Sequence, residues 1–307
     1  MRGVLSWKKA LARLRTVKHR QRLRVAVVAV MAAMFAPTTA AQSDPAKSAD
    51  PAVPAGRNPG GYPVAIIGSG IDYTLRNVGQ MLARDGEGEI IGYDFIDDDR
   101  RPFATGTETD AAEILLGEGQ AATLVILRAN VTQPQSLAKA IGYAAQSPAR
   151  IIAIFGSSGE DSAIATVAAA AAVKFPQHFF IVSSEPGAST GGDAARAANL
   201  LVVTNAPAAG IPADAQSDQM PAADVAIDTT GLWERPASLP DGIATPAQIA
   251  LARATALAAR LIAVDTRATA AEIKSRIVAL AEPASEERKC LAKNGCISRP
   301  RRHFWLE

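Results

Sequence analysis

Strand-like and helix-like runs alternate along residues 62–283, and this alternation leaves few folds open. The strand candidates are "VAIIG" (64–68), "EIIGYDF" (89–95), "ATLVILRA" (122–129), "RIIAIFG" (150–156), "HFFIVSS" (178–184), "LLVVTNA" (200–206) and "ADVAIDT" (223–229). Most are continuously apolar, which predicts strands buried on both faces. Between them lie "ETDAAEILLGE" (108–118), "PQSLAKAIGYAAQS" (134–147) and "SAIATVAAAAAVKF" (162–175), Ala-rich with apolar residues at helical spacing. Two more such stretches follow the last strand, at 245–264 and 269–282. Thr245 before Pro246 gives a helix start with Pro in the first turn, and Thr269 with Glu272 gives a capping box. The pattern predicts an α/β fold: one three-layer domain over 62–283, with a mainly parallel central sheet and helices on both faces. No internal repeat is visible.

The ends of the chain have a different character. Residues 1–24 hold nine Lys and Arg and no Asp or Glu; the apolar "VAVVAVMAAMF" and the small-residue "APTTAAQ" follow. This is the three-part plan of a secretory signal peptide, predicted over 1–41. The apolar run is shorter than the roughly 20 residues of a membrane span, and Pro37 interrupts it, so no transmembrane anchor is expected after cleavage. Without this segment the chain keeps 23 of its 32 basic residues against 30 acidic ones, a net charge of −7. No broad basic face is left for nucleic acid. Residues 42–61, rich in Pro, Ala, Gly and Ser, predict a flexible linker. Residues 284–307 form a C-terminal tail carrying both cysteines, Cys290 and Cys296. In an oxidising compartment these make a candidate disulfide, while zinc lacks a four-ligand spacing. The tail's Arg299, Arg301, Arg302, Phe304 and Trp305 suit a partner or an anionic surface, or else a disordered terminus.

The first strand ends in the turn "IIGSGIDYTL". A dinucleotide fingerprint needs Gly-x-Gly-x-x-Gly opening a helix. Gly68 and Gly70 fit, but Tyr73 takes the third position, and Ile71, Tyr73 and Thr74 make a poor first helical turn. Nucleotide binding is therefore the third-ranked reading.

The order of segments along the chain points elsewhere. "VAIIGSGIDYTLRNV" resembles the aspartate motif V-A-V-I-D-T/S-G-V/I-D-Y-T-H-P-D-L of subtilisin-like serine proteases, the subtilases. "GYDFIDDDRRP" (92–102) resembles their G-Y-D-F-V-x-D-D segment, and "ATGTETDAAEIL" (104–115) stands where G-H-G-T-H-V-A-G-I-I would stand. "AKAIGYAAQSPARIIAIFGSS" (138–158), "FFIVSSEPG" (179–187) and "SDQMPAADVAIDTTG" (217–231) are similar to later family segments. "DGIATPAQIALARATAL" (241–257) matches G-T-S-M-A-T-P-H-V-A-G-A-A-A-L at Ala244, Thr245 and Pro246. The resemblance spans residues 62–282 in family order and implies a subtilisin-like fold and serine endopeptidase ancestry.

That chemistry needs a serine, a histidine, an aspartate and an oxyanion donor. By position the aspartate is replaced by Gly68, the histidine by Thr105 and the serine by Gly242. The oxyanion asparagine falls at Glu185, or at Pro186 one residue on. No catalytic residue, cofactor or metal site is assigned. Of the three histidines, His19 lies in the export signal and His303 in the tail. His178 precedes its strand, away from the expected site, and is read as a surface or strand-edge residue. Glu108, Asp110 and Glu113 could replace a histidine base but are read as a solvated helix face, and Ser238 lies upstream of the serine position in a predicted loop. Asp97, Asp98 and Asp99 are read as a solvated acidic turn, with Ca²⁺ binding the alternative. The expectation is an exported, periplasmic or secreted pseudoprotease that binds a peptide or protein. An active serine endopeptidase with an unrecognised site is the alternative.

Overall fold

The apolar runs do form a parallel sheet. The structure, a computed structural model, describes residues 50–119, 121–156, 161–184, 197–206, 223–230, 244–283 and 292–298. Its strands are β1 (Tyr62–Gly68), β2 (Tyr93–Asp94), β3 (Ala122–Arg128), β4 (Ile151–Ile154), β5 (Phe179–Ser183), β6 (Leu200–Asn205), β7 (Val225–Ile227) and β8 (Cys296–Ile297). They make one 8-stranded sheet in the order β2-β3-β1-β4-β5-β6-β7-β8. All neighbouring strands pair in parallel. The helices are α1 (Arg76–Gly79), α2 (Thr107–Gly119), α3 (Pro134–Gln146), α4 (Asp161–Lys174), α5 (Pro246–Val264) and α6 (Ala270–Ala279).

Because successive strand residues point to opposite faces, continuously apolar strands feed two cores. Val64, Ile66, Leu124, Ile126, Phe179, Ile181, Leu201 and Val203 face one side, where they meet Leu115 of α2, Ile249 and Leu257 of α5 and Ile273 of α6. Ala65, Ile67, Val125, Leu127, Phe180 and Val182 face the other, against Leu137 and Ile141 of α3 and Ile164 and Ala168 of α4. The result is three layers. α5 is long and apolar enough to cross a membrane, but it is largely buried here as the central helix of one layer.

Three expectations are corrected. The run 89–95 gives only β2 to the main sheet. Residues 89–91 fold back on 83–85 through an antiparallel bridge between Arg84 and Ile90, with the Asp85 carboxylate accepting from the Glu87 and Glu89 N–H groups. The expected linker is docked at its described end: Val53 packs on the core, and the Asp50, Pro51 and Pro54 carbonyls accept from Arg101, Tyr73 and Arg84. The expected tail supplies β8, whose Ile297 is buried in the main core.

Candidate functional site

In an open parallel sheet, ligands bind beyond the carboxyl ends of the strands, where the winding direction reverses. Here that point is β1. The chain leaves it toward β3 and β2 on one side, then returns to β4 on the other. Register places Gly68 beside Arg128, the Gly68 carbonyl accepts from the Ala129 N–H (2.8 Å), and the Ile67 carbonyl accepts from the Phe155 N–H (2.8 Å). The ends of β1, β3 and β4 are thus level.

Two helix starts converge on this edge. The first turn of α2 brings Glu108 against Gly68, and the Glu108 carboxylate accepts the Ser69 hydroxyl. Thr109 Oγ1 accepts the Asp72 N–H at 2.9 Å. Gln248 of α5 donates to Thr107 Oγ1 at 2.9 Å, and Asp110 Oδ2 accepts the Ala244 N–H at 3.1 Å. The β1 turn, the start of α2 and the residues leading into α5 therefore meet. Thr105 is exposed, two residues before α2. Gly242, Glu185, Pro186 and Ser238 lie outside the described residues.

The acids of α2 are not a solvated face. Glu108, Asp110 and Glu113 are 6%, 5% and 5% exposed. Each is hydrogen-bonded, Glu113 to the Asn77 amide at 2.5 Å. Three acids in the first two turns look solvated in a sequence, because their partners come from the turn after β1, from α1 and from the residues before α5. The Ser69–Glu108 pair was missed for the same reason; no local signal links residues so far apart in the chain.

His178 is also corrected, from a surface or strand-edge position to a buried one, 6% exposed. It packs beside Phe175, and burial, reinforced by Arg150, lowers its pKa from 6.5. It is at the wrong end of the sheet for catalysis here. It precedes Phe179, which aligns with Ile151 and so with Val64, putting it ~16 Å from the level of Gly68 at the usual strand rise. It is the one histidine among the described residues.

The acidic loop after β2 is bound internally. Arg128 reaches Asp94 at 2.6 Å and Asp97 at 2.5 Å, and its Nε donates to the Ser69 carbonyl at 3.1 Å. Burial alone would lower the Arg128 pKa, but the hydrogen bonds to Asp94 and Asp97 outweigh it and raise the group above its ordinary value. Asp98 accepts the Tyr93 hydroxyl and Asp99 the Arg101 N–H. Asp50, Asp94 and Asp97 cluster closely enough to share an ion. The positive charge supplied there is Arg128. Burial raises the Asp50 carboxyl, and Asp97, Asp99 and Asp94 add to this against the pull of Arg128. The Gly68–Gly70 turn leads into α1, a helix of 4 residues, which gives a pyrophosphate no full helix N-terminus.

Cys296 is buried in β8 and disulfide-bonded. Cys290 and the aromatic and basic residues 299–305 lie outside the described residues.

No protein-family model matches the chain, and no curated protein matches it. Solved structures do. MycP1 with its N-terminal propeptide removed is similar with a TM-score of 0.52 and 17% identity, over 78% of this chain and 89% of that one. MycP1 from the ESX-1 type VII secretion system gives 0.51 and 18%, over 78% and 79%. A cold adapted subtilisin-like serine proteinase matches over 81% of this chain and 92% of its own, at 13% identity and a TM-score of 0.46. The likeness to the two MycP1 structures is one of fold; with the parallel strand order and the two helix layers, it shows that this chain has a subtilisin-like fold.

Proposed function

We propose that this protein is an exported, non-catalytic member of the subtilisin-like architecture that holds a peptide or protein segment at the carboxyl ends of β1, β3 and β4. The observation that carries this reading is Gly68, which offers no side chain to orient a base and has the Glu108 carboxylate packed against it. A triad of the Ser-His-Asp kind needs an acid at that point and a histidine beside it. Export rests on the N-terminal basic and apolar segments, with the secretion-system origin of MycP1 as a parallel in another protein.

The decisive experiment incubates the mature chain with β-casein and, separately, with a fluorophosphonate probe. The expected result is casein retained in complex at unchanged mass and no labelled serine. Turnover of casein overturns the proposal.

One observation favours a second reading, an active hydrolase with a relocated site. Ser69 is exposed and its hydroxyl donates to a buried carboxylate, the arrangement of an activated nucleophile. Labelling or turnover lost in Ser69→Ala would establish that reading; loss in Ser238→Ala would place the nucleophile there instead.

A further inference from the structure

The last strand of the sheet is held by few contacts. β8 has 2 residues and pairs with β7, which has 3, through Ala226 with Cys296 and Ile227 with Ile297. The Ala226 and Asp228 N–H groups donate to the Gly295 and Ile297 carbonyls, both at 3.0 Å. The Lys293 and Asn294 N–H groups donate to the Ala223 and Asp224 carbonyls, both at 3.1 Å. On its other side β8 meets Glu282, just beyond α6, which exchanges two backbone hydrogen bonds with Cys296 (2.8 and 2.9 Å). The approach is close enough that any side chain at Gly295 would strike the Glu282 carbonyl, and Gly295 has φ of 102°. Apolar anchoring comes from Ile297 in the main core, from Cys296 in a small cluster with Ala206 and Ala226, and from the partly buried Ala292.

So short a segment gains from its backbone bonds about what it loses in chain entropy on docking. It needs a constraint that pre-forms its turn, and Cys296 supplies one, being buried and disulfide-bonded. The chain's other cysteine is Cys290.

We infer that a Cys290–Cys296 disulfide is a redox-controlled clasp: oxidised, it holds residues 292–298 as the eighth strand; reduced, it lets them go, and the sheet ends at β7. The reductant is a dithiol. One of its thiolates attacks the disulfide and forms a mixed disulfide, which its second thiol resolves. The S–S bond breaks, two electrons pass from the reductant, two protons finish on the Cys290 and Cys296 thiols, and the reductant leaves as its own disulfide. Cys296 is 1% exposed, so attack on its own sulfur requires β8 to part from β7 first. With β8 gone, the Ala226 and Asp228 N–H groups lose their acceptors and β7 becomes an open sheet edge. The sheet is then complete only where disulfides persist.

Hydrogen exchange with mass spectrometry on the full chain, with and without dithiothreitol, tests the clasp. Thiol alkylation in parallel reports the redox state. Expected are no alkylatable thiols before reduction and two after it. Exchange at 225–228 and 293–298 should then quicken at least tenfold, while β1 and β3 stay unchanged and reoxidation restores protection. Cys290→Ser should show the same local loss without reductant, and Gly295→Ala should show it with the disulfide intact. Two thiols before reduction, unchanged protection once both are alkylated, or equal loosening of β1 and β3 would each overturn the inference.

Discussion

A Cβ built on Gly68 would lie 2.9 Å from Glu108 Oε1 and 3.3 Å from the Phe155 Cβ, so the turn has no room for a side chain beside that carboxylate. Placing an acid there sets two carboxylates together in a buried turn. Gly68→Asp should destabilise the protein by about 3–5 kcal/mol in urea unfolding, the usual consequence of an uncompensated buried charge. Glu108→Gln in the same chain should recover most of that loss; no recovery would mean that packing against Phe155, not charge, sets the penalty. His178 makes a second prediction. Its folded pKa is lowered from 6.5 by burial and by Arg150, so the unfolded chain takes up the proton first. Stability should hold above pH 6.5 and fall as pH drops from there toward the depressed folded value. His178→Gln should remove that part of the slope, and a slope unchanged in the variant would assign it to other groups. At this scale the sequence shows few histidines, and His178, the one among the described residues, lies far from the Gly68 turn. It does not reveal Ser69 with Glu108, because that pair is made by folding and not by spacing.

The helix starts show which local signals carry. Thr245 and Thr269 were legible as caps, and both form reciprocal capping boxes, with Gln248 and Glu272. Cap chemistry is contained within four residues, so it survives any tertiary context. The acidic face of α2 and the strand at 89–95 were misread because their outcome depends on partners distant in sequence. Asp110 makes the point: its carboxylate accepts the buried Ala244 N–H and so ties the start of α5 to α2. Thr245→Ala should cost ~1 kcal/mol, the ordinary value of a cap. Asp110→Ala should cost ~1–3 kcal/mol, because a buried N–H is left without its acceptor. Thermal unfolding of the two variants checks the ranking; a larger loss for Thr245→Ala would show that the cap, not the tie to α2, fixes α5.

Over the whole molecule, the parallel sheet and its two helix layers were readable from non-alternating apolar runs, which only a sheet covered on both faces can use. The boundaries were not. Composition marks 42–61 as a linker and 284–307 as a tail, yet residues 50–54 dock and residues 292–298 add a strand, because a few backbone carbonyls and one buried Ile decide docking. The N-terminal arm gives the last prediction. Tyr73 is fully buried, and its hydroxyl donates to the Pro51 carbonyl at 2.7 Å. Arg84, 5% exposed, donates to the Pro54 carbonyl at 2.5 Å as well as to Gly88. A chain beginning at residue 42 keeps both acceptors and should unfold as the longer chain does. A chain beginning at residue 62 loses them. Each orphaned donor costs ~1–3 kcal/mol if it stays buried and less if water reaches it, so Tm should fall by roughly 5–10 °C at the sensitivity of a domain this size. The Tyr73 phenol supplies an independent readout. Burial, with Asp50 the next cause, pushes its pKa up to about 12. Removing the arm opens the ring to solvent and takes Asp50 away, so its titration should move back toward 10. A chain starting at residue 62 with unchanged Tm and an unmoved tyrosine titration would show that the arm merely lies on the domain and adds nothing to its stability.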